Sequence, residues 1–113
     1  SLGKKIDLDI IYQTTGMANP EAIKEMMNTA LSGDFIKARD KLDDIMITFG
    51  LSGQDVIKQI HSAVFEMPIT DREKVKMVEK VGEVEFRIVE GSNERIQLEA
   101  LLANLVLIGG NCR

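Results

Sequence analysis

The sequence predicts an all-α fold: a compact bundle of about five helices preceded by a short N-terminal helical stub. Apolar residues recur at the i, i+3, i+4, i+7 spacing of a helix over most of the chain, and the alternation typical of strands is absent. Capping residues, glycines and prolines divide this pattern into segments of helix length. Only 4% of the 113 residues are aromatic, so the core must consist of Leu, Ile, Val and Met, which suits helix packing.

Turn residues delimit the first two helices. A helix is predicted over residues 20–31 because Asn19 can cap it and Gly33 can close it. Its first residue is a proline, whose missing N–H costs nothing at that position. Asp34 can cap a second helix, which keeps the helical period until Gly50 ends it.

Two capping boxes begin the next two helices. Residues 52–55, Ser-Gly-Gln-Asp, open a helix that ends before Pro68. Residues 70–73, Thr-Asp-Arg-Glu, open a long helix predicted over residues 71–90. This helix has a second line of apolar residues beside the first, so we expect it to need two neighbours. The second line consists of Val75, Val78, Phe86 and Val89.

Glycines near the end of the chain lead to two further expectations. Gly82 lies in the middle of the long helix, where glycine costs about 1 kcal/mol relative to alanine, so we expect another helix to approach closely there. The last helix is predicted over residues 94–107, and the pair Gly109 and Gly110 is interpreted as a frayed C-terminus. At the other end, residues 6–14 form a short helix candidate closed by a glycine.

Composition and charge exclude several classes of protein. The net charge of −4 disfavours direct binding to nucleic acid. The single cysteine, Cys112, excludes an internal disulfide, agrees with a reducing compartment and is expected to be inert. No apolar stretch is long enough to cross a membrane, and no signal peptide is visible. The start at Ser1 and Leu2 suggests a piece of a longer protein with a cloning scar.

No constellation of residues indicates a catalytic centre, a cofactor site or a metal site. None of the glycines forms a phosphate-binding loop. His61, the only histidine, is expected to be a partly buried helix residue that hydrogen-bonds a carbonyl or a carboxylate. A pairing of Cys112 with His61 for nucleophilic catalysis is disfavoured because a chain end cannot hold the thiol rigidly. The strip of Lys37, Arg39 and Lys41 is expected to be neutralised by the acids around it.

The long helix and the last helix carry more apolar and mixed polar surface than such a bundle can bury. Each large apolar side chain left in water forfeits about 1.5–3 kcal/mol, so we predict a subunit interface there. For any one polar residue of this set, the alternative is that it merely faces water. The predicted interface residues are Phe86, Arg87, Glu90, Asn93, Glu94, Gln97, Leu101 and Asn104.

Several runs of residues also match a known family. They are Leu51-Ser52-Gly53, Asp55-Val56, Gln59-Ile60-His61, Phe65, Pro68-Ile69, Val81-Gly82-Glu83, residues 85–91 (Glu-Phe-Arg-Ile-Val-Glu-Gly), Asn93-Glu94 and residues 96–103. Together they resemble the C-terminal region of the small subunit of replication factor C, the archaeal and eukaryotic clamp loader. The resemblance extends over about residues 15–109, and residues 85–91 are its strongest part.

The resemblance implies a domain assignment and a set of partners. Residues 1–16 would be the scar and the tail of the lid of an AAA+ ATPase, and residues 17–113 the helical collar through which subunits form an oligomer. The implied partners are the other clamp-loader subunits, small and large, a further copy of the chain and, through the whole complex, the sliding clamp and primer-template DNA. A membrane is not among them.

The resemblance also implies where the chemistry lies. The full-length protein would use ATP and magnesium, whose binding motifs lie upstream, so no cofactor is expected here. The implied location is intracellular, cytoplasmic in an archaeon or nuclear in a eukaryote. Met17 and Asn19 depart from the basic residues that relatives often place at the lid joint, which puts any phosphate contact there in doubt.

Two other hypotheses stay open from the sequence. The chain could be a free-standing helical adaptor that binds a partner helix in an apolar groove. It could also be an enzyme with an unrecognised site, which would require converging polar groups that the sequence does not show.

Overall fold

A computed structural model describes residues 8, 10–12 and 14–110, and it is all-α throughout that part of the chain. Five helices follow one another: α1 (Pro20–Leu31), α2 (Phe35–Phe49), α3 (Gly53–Val64), α4 (Asp71–Val89) and α5 (Glu94–Gly110). Before them, the described residues between 8 and 15 are helical and end at Gly16, whose φ is +73°. The predicted fold class, five helices with a stub, is confirmed.

Local hydrogen bonds start the helices where the sequence predicts. The side chain of Asn19 accepts a bond of 3.0 Å from the backbone N–H of Glu21, and Asp34 does the same for Lys37. Gly50 ends α2 in the left-handed conformation, with φ of 63°, which a residue with a side chain rarely adopts.

Both predicted capping boxes are formed. At α3, the Ser52 hydroxyl accepts from the backbone of Asp55, while the Asp55 carboxylate accepts from the backbone of Ser52. At α4, the backbone of Thr70 donates a bond of 2.8 Å to the carboxylate of Glu73, which is buried. Each box satisfies two backbone groups that would otherwise lack partners.

Helix α5 lies at the centre of the bundle and packs against all four other helices. Helix α4 packs against α3 and α5, while α2 packs against α1 and α5. Burial of their facing apolar side chains holds the bundle together, at about 1.5–3 kcal/mol for each large side chain. The largest of the fully buried side chains are Ile23, Met26, Met27, Leu42, Ile57, Ile60, Met77, Leu98, Leu101, Leu102 and Leu105.

The joint before α1 is held by one side chain of α3. The amide oxygen of Gln59 accepts a bond of 2.8 Å from the N–H of Ala18, and its amide nitrogen donates one of 3.0 Å to the carbonyl of Ala18. Ala18 is fully buried, so both backbone groups are satisfied without water.

Two expectations about glycines are wrong. Gly82 is exposed, and a Cβ placed there would meet no described atom within 4 Å, so none of the described helices of the same molecule approaches it. Gly109 is not frayed but buried inside α5, which extends to Gly110. A Cβ at Gly109 would overlap the carbonyl of Leu31 at the end of α1. The close helix approach therefore occurs at Gly109, where only the absence of a side chain permits it.

The two apolar lines of α4 differ in burial. The first line faces α3 and α5 and is buried, whereas Val75, Phe86 and Val89 of the second line are 66%, 62% and 59% exposed. Val78, the remaining member of the second line, is half-buried. The second line thus lacks the neighbour that its composition predicts.

Candidate interaction surface

The described residues hold no group of three or more His, Cys, Asp or Glu side chains arranged to bind a metal. His61 is exposed rather than partly buried, and its ring packs edge-on against Phe65, with 5.5 Å between the centroids. That prediction for His61 is wrong because its position on α3 faces away from the core. Cys112 lies outside the described residues.

Two of the three cations in the basic strip of α2 are paired, and their partners are acids of neighbouring helices. Lys41 forms a salt bridge of 2.7 Å with Glu25 of α1, and Arg39 forms one of 3.1 Å with Glu99 of α5. The third member of the strip, Lys37, is exposed. These pairs tie α2 to two neighbours and leave little cationic surface for a phosphate backbone.

Six of the predicted interface residues lie close in sequence to the turn that joins α4 to α5, whereas Leu101 and Asn104 lie further along α5. Phe86, Arg87, Glu90 and Asn93 are exposed. Of the side chains that follow in α5, those of Glu94, Gln97 and Asn104 are half-buried. Seven of the eight predicted residues thus keep at least part of their surface accessible.

Leu101 is the exception. It is 1% exposed and belongs to the core of this chain, so its side chain cannot reach a neighbouring subunit while the bundle stays folded. Sequence periodicity marked it as apolar but could not tell which side of α5 faces inward, because α5 is apolar on most of its circumference.

Several predicted interface residues also have partners within the chain. Asn93 caps α5, since its side-chain oxygen accepts a bond of 2.9 Å from the backbone of Ile96. Glu94 accepts a bond of 2.8 Å from the N–H of Gly53. The amide oxygen of Gln97 is buried without a hydrogen-bond partner among the described residues. Asn104 borders a groove between α4 and α5.

A small ion-pair network lies on α4 beside this edge. The carboxylate of Glu83 lies 3.3 Å from the Lys80 ammonium and 2.6 Å from the Arg87 guanidinium. The hydrogen bond from Lys80, reinforced by the charge of Arg87, lowers the pKa of Glu83 below its ordinary value of 4.5. Arg87 is therefore engaged within its own helix, although half of its side chain stays exposed.

Part of the exposed apolar surface lies outside the residues that the sequence predicts for the interface. On α5, Ile96 and Leu107 are 63% and 66% exposed, and Ala100 between them is exposed too. On α2, Ile36 and Ile47 are 64% and 80% exposed. On α2, the spacing of Ile36 and Ile47 from the apolar line of that helix was the available signal, since each lies about half a turn from it. On α5 no such signal was available, because apolar residues occupy most of its circumference.

A family model described as the replication factor C C-terminal domain matches residues 18–104, most of the chain. The chain belongs to this family. Replication factor C small subunits are among its relatives: that of Archaeoglobus fulgidus is 48% identical over 105 residues, and that of Pyrococcus furiosus is 51% identical over 109. The small subunit of Methanocella arvoryzae is 46% identical over 109 residues.

The matches cover nearly the whole chain but only part of each replication factor C small subunit. They span 93% of the chain and 33% of the Archaeoglobus protein, 96% and 34% for Methanocella, and 96% and 13% for Pyrococcus. The chain thus corresponds to about a third of the length of two of these relatives and to 13% of the third. None of the helices that the structure describes is long and apolar enough to cross a membrane.

Proposed function

We propose that this chain is the subunit-assembly collar of a DNA replication clamp loader. In that role it holds AAA+ ATPase subunits in a ring that loads the sliding clamp onto primer-template DNA. Membership of the replication factor C C-terminal domain family supports the proposal, since the relatives are named as small subunits of a larger protein.

The single observation that carries the assembly role is the apolar surface at the edge where α4 meets α5. Phe86 and Val89 at the end of α4, and Ile96 at the start of α5, are each about three-fifths exposed. Apolar side chains flanked by polar groups such as Glu90 and Asn93 are the composition of a protein interface. A chain that functioned alone would leave this area in water.

We propose the same division of the chain as the resemblance implies: residues 1–16 as scar and tail of the lid, and residues 17–113 as the collar. The left-handed Gly16 and the non-helical residues 17–19 support a boundary at this point. ATP and magnesium would bind to upstream modules, so the collar itself would not be an enzyme. We place the assembly inside the cell, where DNA is replicated.

The test uses the full-length subunit with its partner subunits. Phe86→Asp should prevent assembly, measured by sedimentation velocity, and clamp loading should fall with it. Ile47→Asp is the matched control, because Ile47 is more exposed than Phe86 but lies on α2, away from the α4–α5 edge. Normal assembly of a folded Phe86→Asp subunit would contradict the proposal.

A second candidate, a free-standing adaptor for a partner helix, has one observation in its favour. A groove of about 510 Å³ lies between α3 and α4, and its floor includes Ile57, Val78 and Val81. Copurification of one unrelated helical partner, with the clamp-loader subunits absent, would favour this candidate. Binding of ATP and magnesium to the 113-residue chain would contradict both.

A further inference from the structure

The exposed side of α4 carries an apolar stripe formed by Val75, Val78, Gly82, Phe86 and Val89, here named the α4 stripe. Three of its side chains are about 60% exposed or more, and Val78 is half-buried. The spacings of three and four residues keep all five on one side of the helix, between about a quarter and half a turn away from the buried line.

Gly82 lies at the centre of the α4 stripe, and no contact with the described part of the chain accounts for a glycine there. Glycine in the interior of a helix costs about 1 kcal/mol relative to alanine, yet a Cβ at this position would meet nothing within 4 Å. The groove between α3 and α4 opens beside it. A glycine flanked by exposed apolar side chains allows a helix of another molecule to approach the backbone closely.

The α4 stripe is symmetric about Gly82. Val75 and Val89 lie seven residues to either side of it, and Val78 and Phe86 lie four residues to either side. When two identical helices cross antiparallel on a two-fold axis, each residue faces the residue equally far beyond the crossing point on the other copy. A crossing at Gly82 therefore brings Val75 opposite Val89 of the second copy, and Val78 opposite Phe86.

Charges along α4 favour the same antiparallel arrangement. Four of the six accessible charged side chains in its N-terminal half are cationic, whereas three of the four from residue 83 to residue 90 are acidic. Antiparallel pairing places each basic half against an acidic half. At the two ends, it brings Arg72 near Glu90 of the second copy, and neither residue forms a salt bridge with any other described residue of its own chain.

We propose that two copies of this chain pair through the α4 stripe, with their α4 helices antiparallel and crossing at Gly82. The partner is thus a second copy of the chain. This pair goes beyond the proposed collar, because Arg72 and Gly82 are not among the predicted interface residues. In addition, a contact with two-fold symmetry joins two molecules and does not by itself build a ring. Phe86 belongs to both surfaces, so the pair is a state of the chain outside the ring.

A charge exchange tests the antiparallel register. We expect the 113-residue chain to pass from monomer to dimer with rising concentration in sedimentation equilibrium. Arg72→Glu and Glu90→Arg should each weaken the dimer about three- to tenfold, and the double variant should restore most of the loss. The two residues are 18 positions apart on one helix, about 27 Å, so the rescue can act only between copies.

A second variant tests the close approach. Gly82→Leu should leave the monomer folded, since the space around Gly82 is open, while its side chain should reduce dimerisation more than tenfold. Circular dichroism checks the fold, and Ile47→Ser on α2 is the control that should not change dimerisation. A chain that stays monomeric at millimolar concentration overturns the proposal. So does a dimer that is insensitive to Gly82→Leu or to the charge exchange.

Different experimental results would overturn the proposed collar and the proposed pair of α4 helices. In the full-length subunit, Arg72→Glu should leave assembly with the other subunits unchanged, whereas Phe86→Asp should prevent it. A monomeric chain combined with an effect of Phe86→Asp on ring assembly removes only the pair. A dimeric chain combined with normal assembly of the Phe86→Asp subunit removes only the collar.

Discussion

The backbone N–H of Gly53 donates a hydrogen bond of 2.8 Å to the carboxylate of Glu94, which joins the first residue of α3 to the first residue of α5. The two residues are 41 positions apart in the chain. The carboxylate lies at the positive end of the α3 dipole and satisfies an N–H that has no partner within its own helix. Glu94 thus contributes to the fold as well as to the predicted interface surface.

Glu94→Ala should lower the free energy of unfolding by about 1–2 kcal/mol, because the Gly53 N–H loses a charged acceptor. Urea denaturation measures the change. Glu79→Ala is the control: Glu79 is exposed on α4 and forms no salt bridge with a described residue, so its effect should stay within about 0.5 kcal/mol. Equal effects of the two substitutions would contradict the role of the Gly53 contact.

The two helical glycines should respond to alanine in opposite directions. Gly109→Ala should destabilise the chain by about 1–3 kcal/mol, because its Cβ would overlap the carbonyl of Leu31. Gly82→Ala should stabilise the monomer by about 1 kcal/mol, since alanine favours the helix and the space is open. Thermal unfolding at low chain concentration measures both, and a loss of monomer stability in Gly82→Ala would count against the open site.

Aspartate substitutions should separate the core from the surface of the predicted interface. Leu101→Asp would place a charge in the core and should cost about 4 kcal/mol or more. Phe86→Asp should keep the bundle folded, within about 0.5 kcal/mol, because most of the Phe86 side chain is already in water. Circular dichroism with urea titration distinguishes these outcomes. A folded Leu101→Asp chain would show that Leu101 is not part of the core.

Gln59→Leu should release the joint before α1. The substitution removes both hydrogen bonds to the buried Ala18, so we expect a loss of about 1–3 kcal/mol and faster hydrogen exchange at the Ala18 amide. Gln54→Leu makes the same change at an exposed position of α3 and serves as the control. Unchanged exchange at Ala18 would mean that the Gln59 amide does not hold the joint.

The ion pairs of Glu83 should make stability depend on pH in the acid range. Lys80, and then Arg87, lower the pKa of Glu83 in the folded chain below the ordinary 4.5, so the unfolded carboxyl binds its proton at a higher pH than the folded one. The stabilisation is present above pH 4.5 and is lost as the pH falls through the lowered value. Glu83→Gln should therefore lose less stability than the native chain between pH 6 and pH 3.

Two measurements check the pH prediction. Urea midpoints at both pH values give the difference between the native chain and Glu83→Gln. Lys80→Met removes the group that contributes most to the lowered pKa, so it should reduce the acid sensitivity in the same direction. If Glu83→Gln lost as much stability between pH 6 and pH 3 as the native chain does, the ion-pair explanation would be contradicted.

Much of the fold could be predicted because helix ends depend on local contacts. The capping boxes at Ser52 and Thr70 join residues only three positions apart, so the sequence pattern contains all of the atoms involved. Gly50 is similar, since its left-handed backbone is a property of one residue. The candidate site was predictable to the level of an edge near the α4–α5 turn, because surplus apolar residues there exceed one helical stripe.

The sequence by itself determined the class of fold, the order of the helices, most of their ends and the family, since propensity, capping and residue identity are local properties. Only the tertiary structure decided that Leu101 faces inward, that the close helix approach within one molecule occurs at Gly109 and not at Gly82, and that Glu94 binds the end of α3. These depend on the rotation and approach of helices far apart in the chain. An almost uniformly apolar helix such as α5 does not encode its own rotation, because packing against four neighbours selects it.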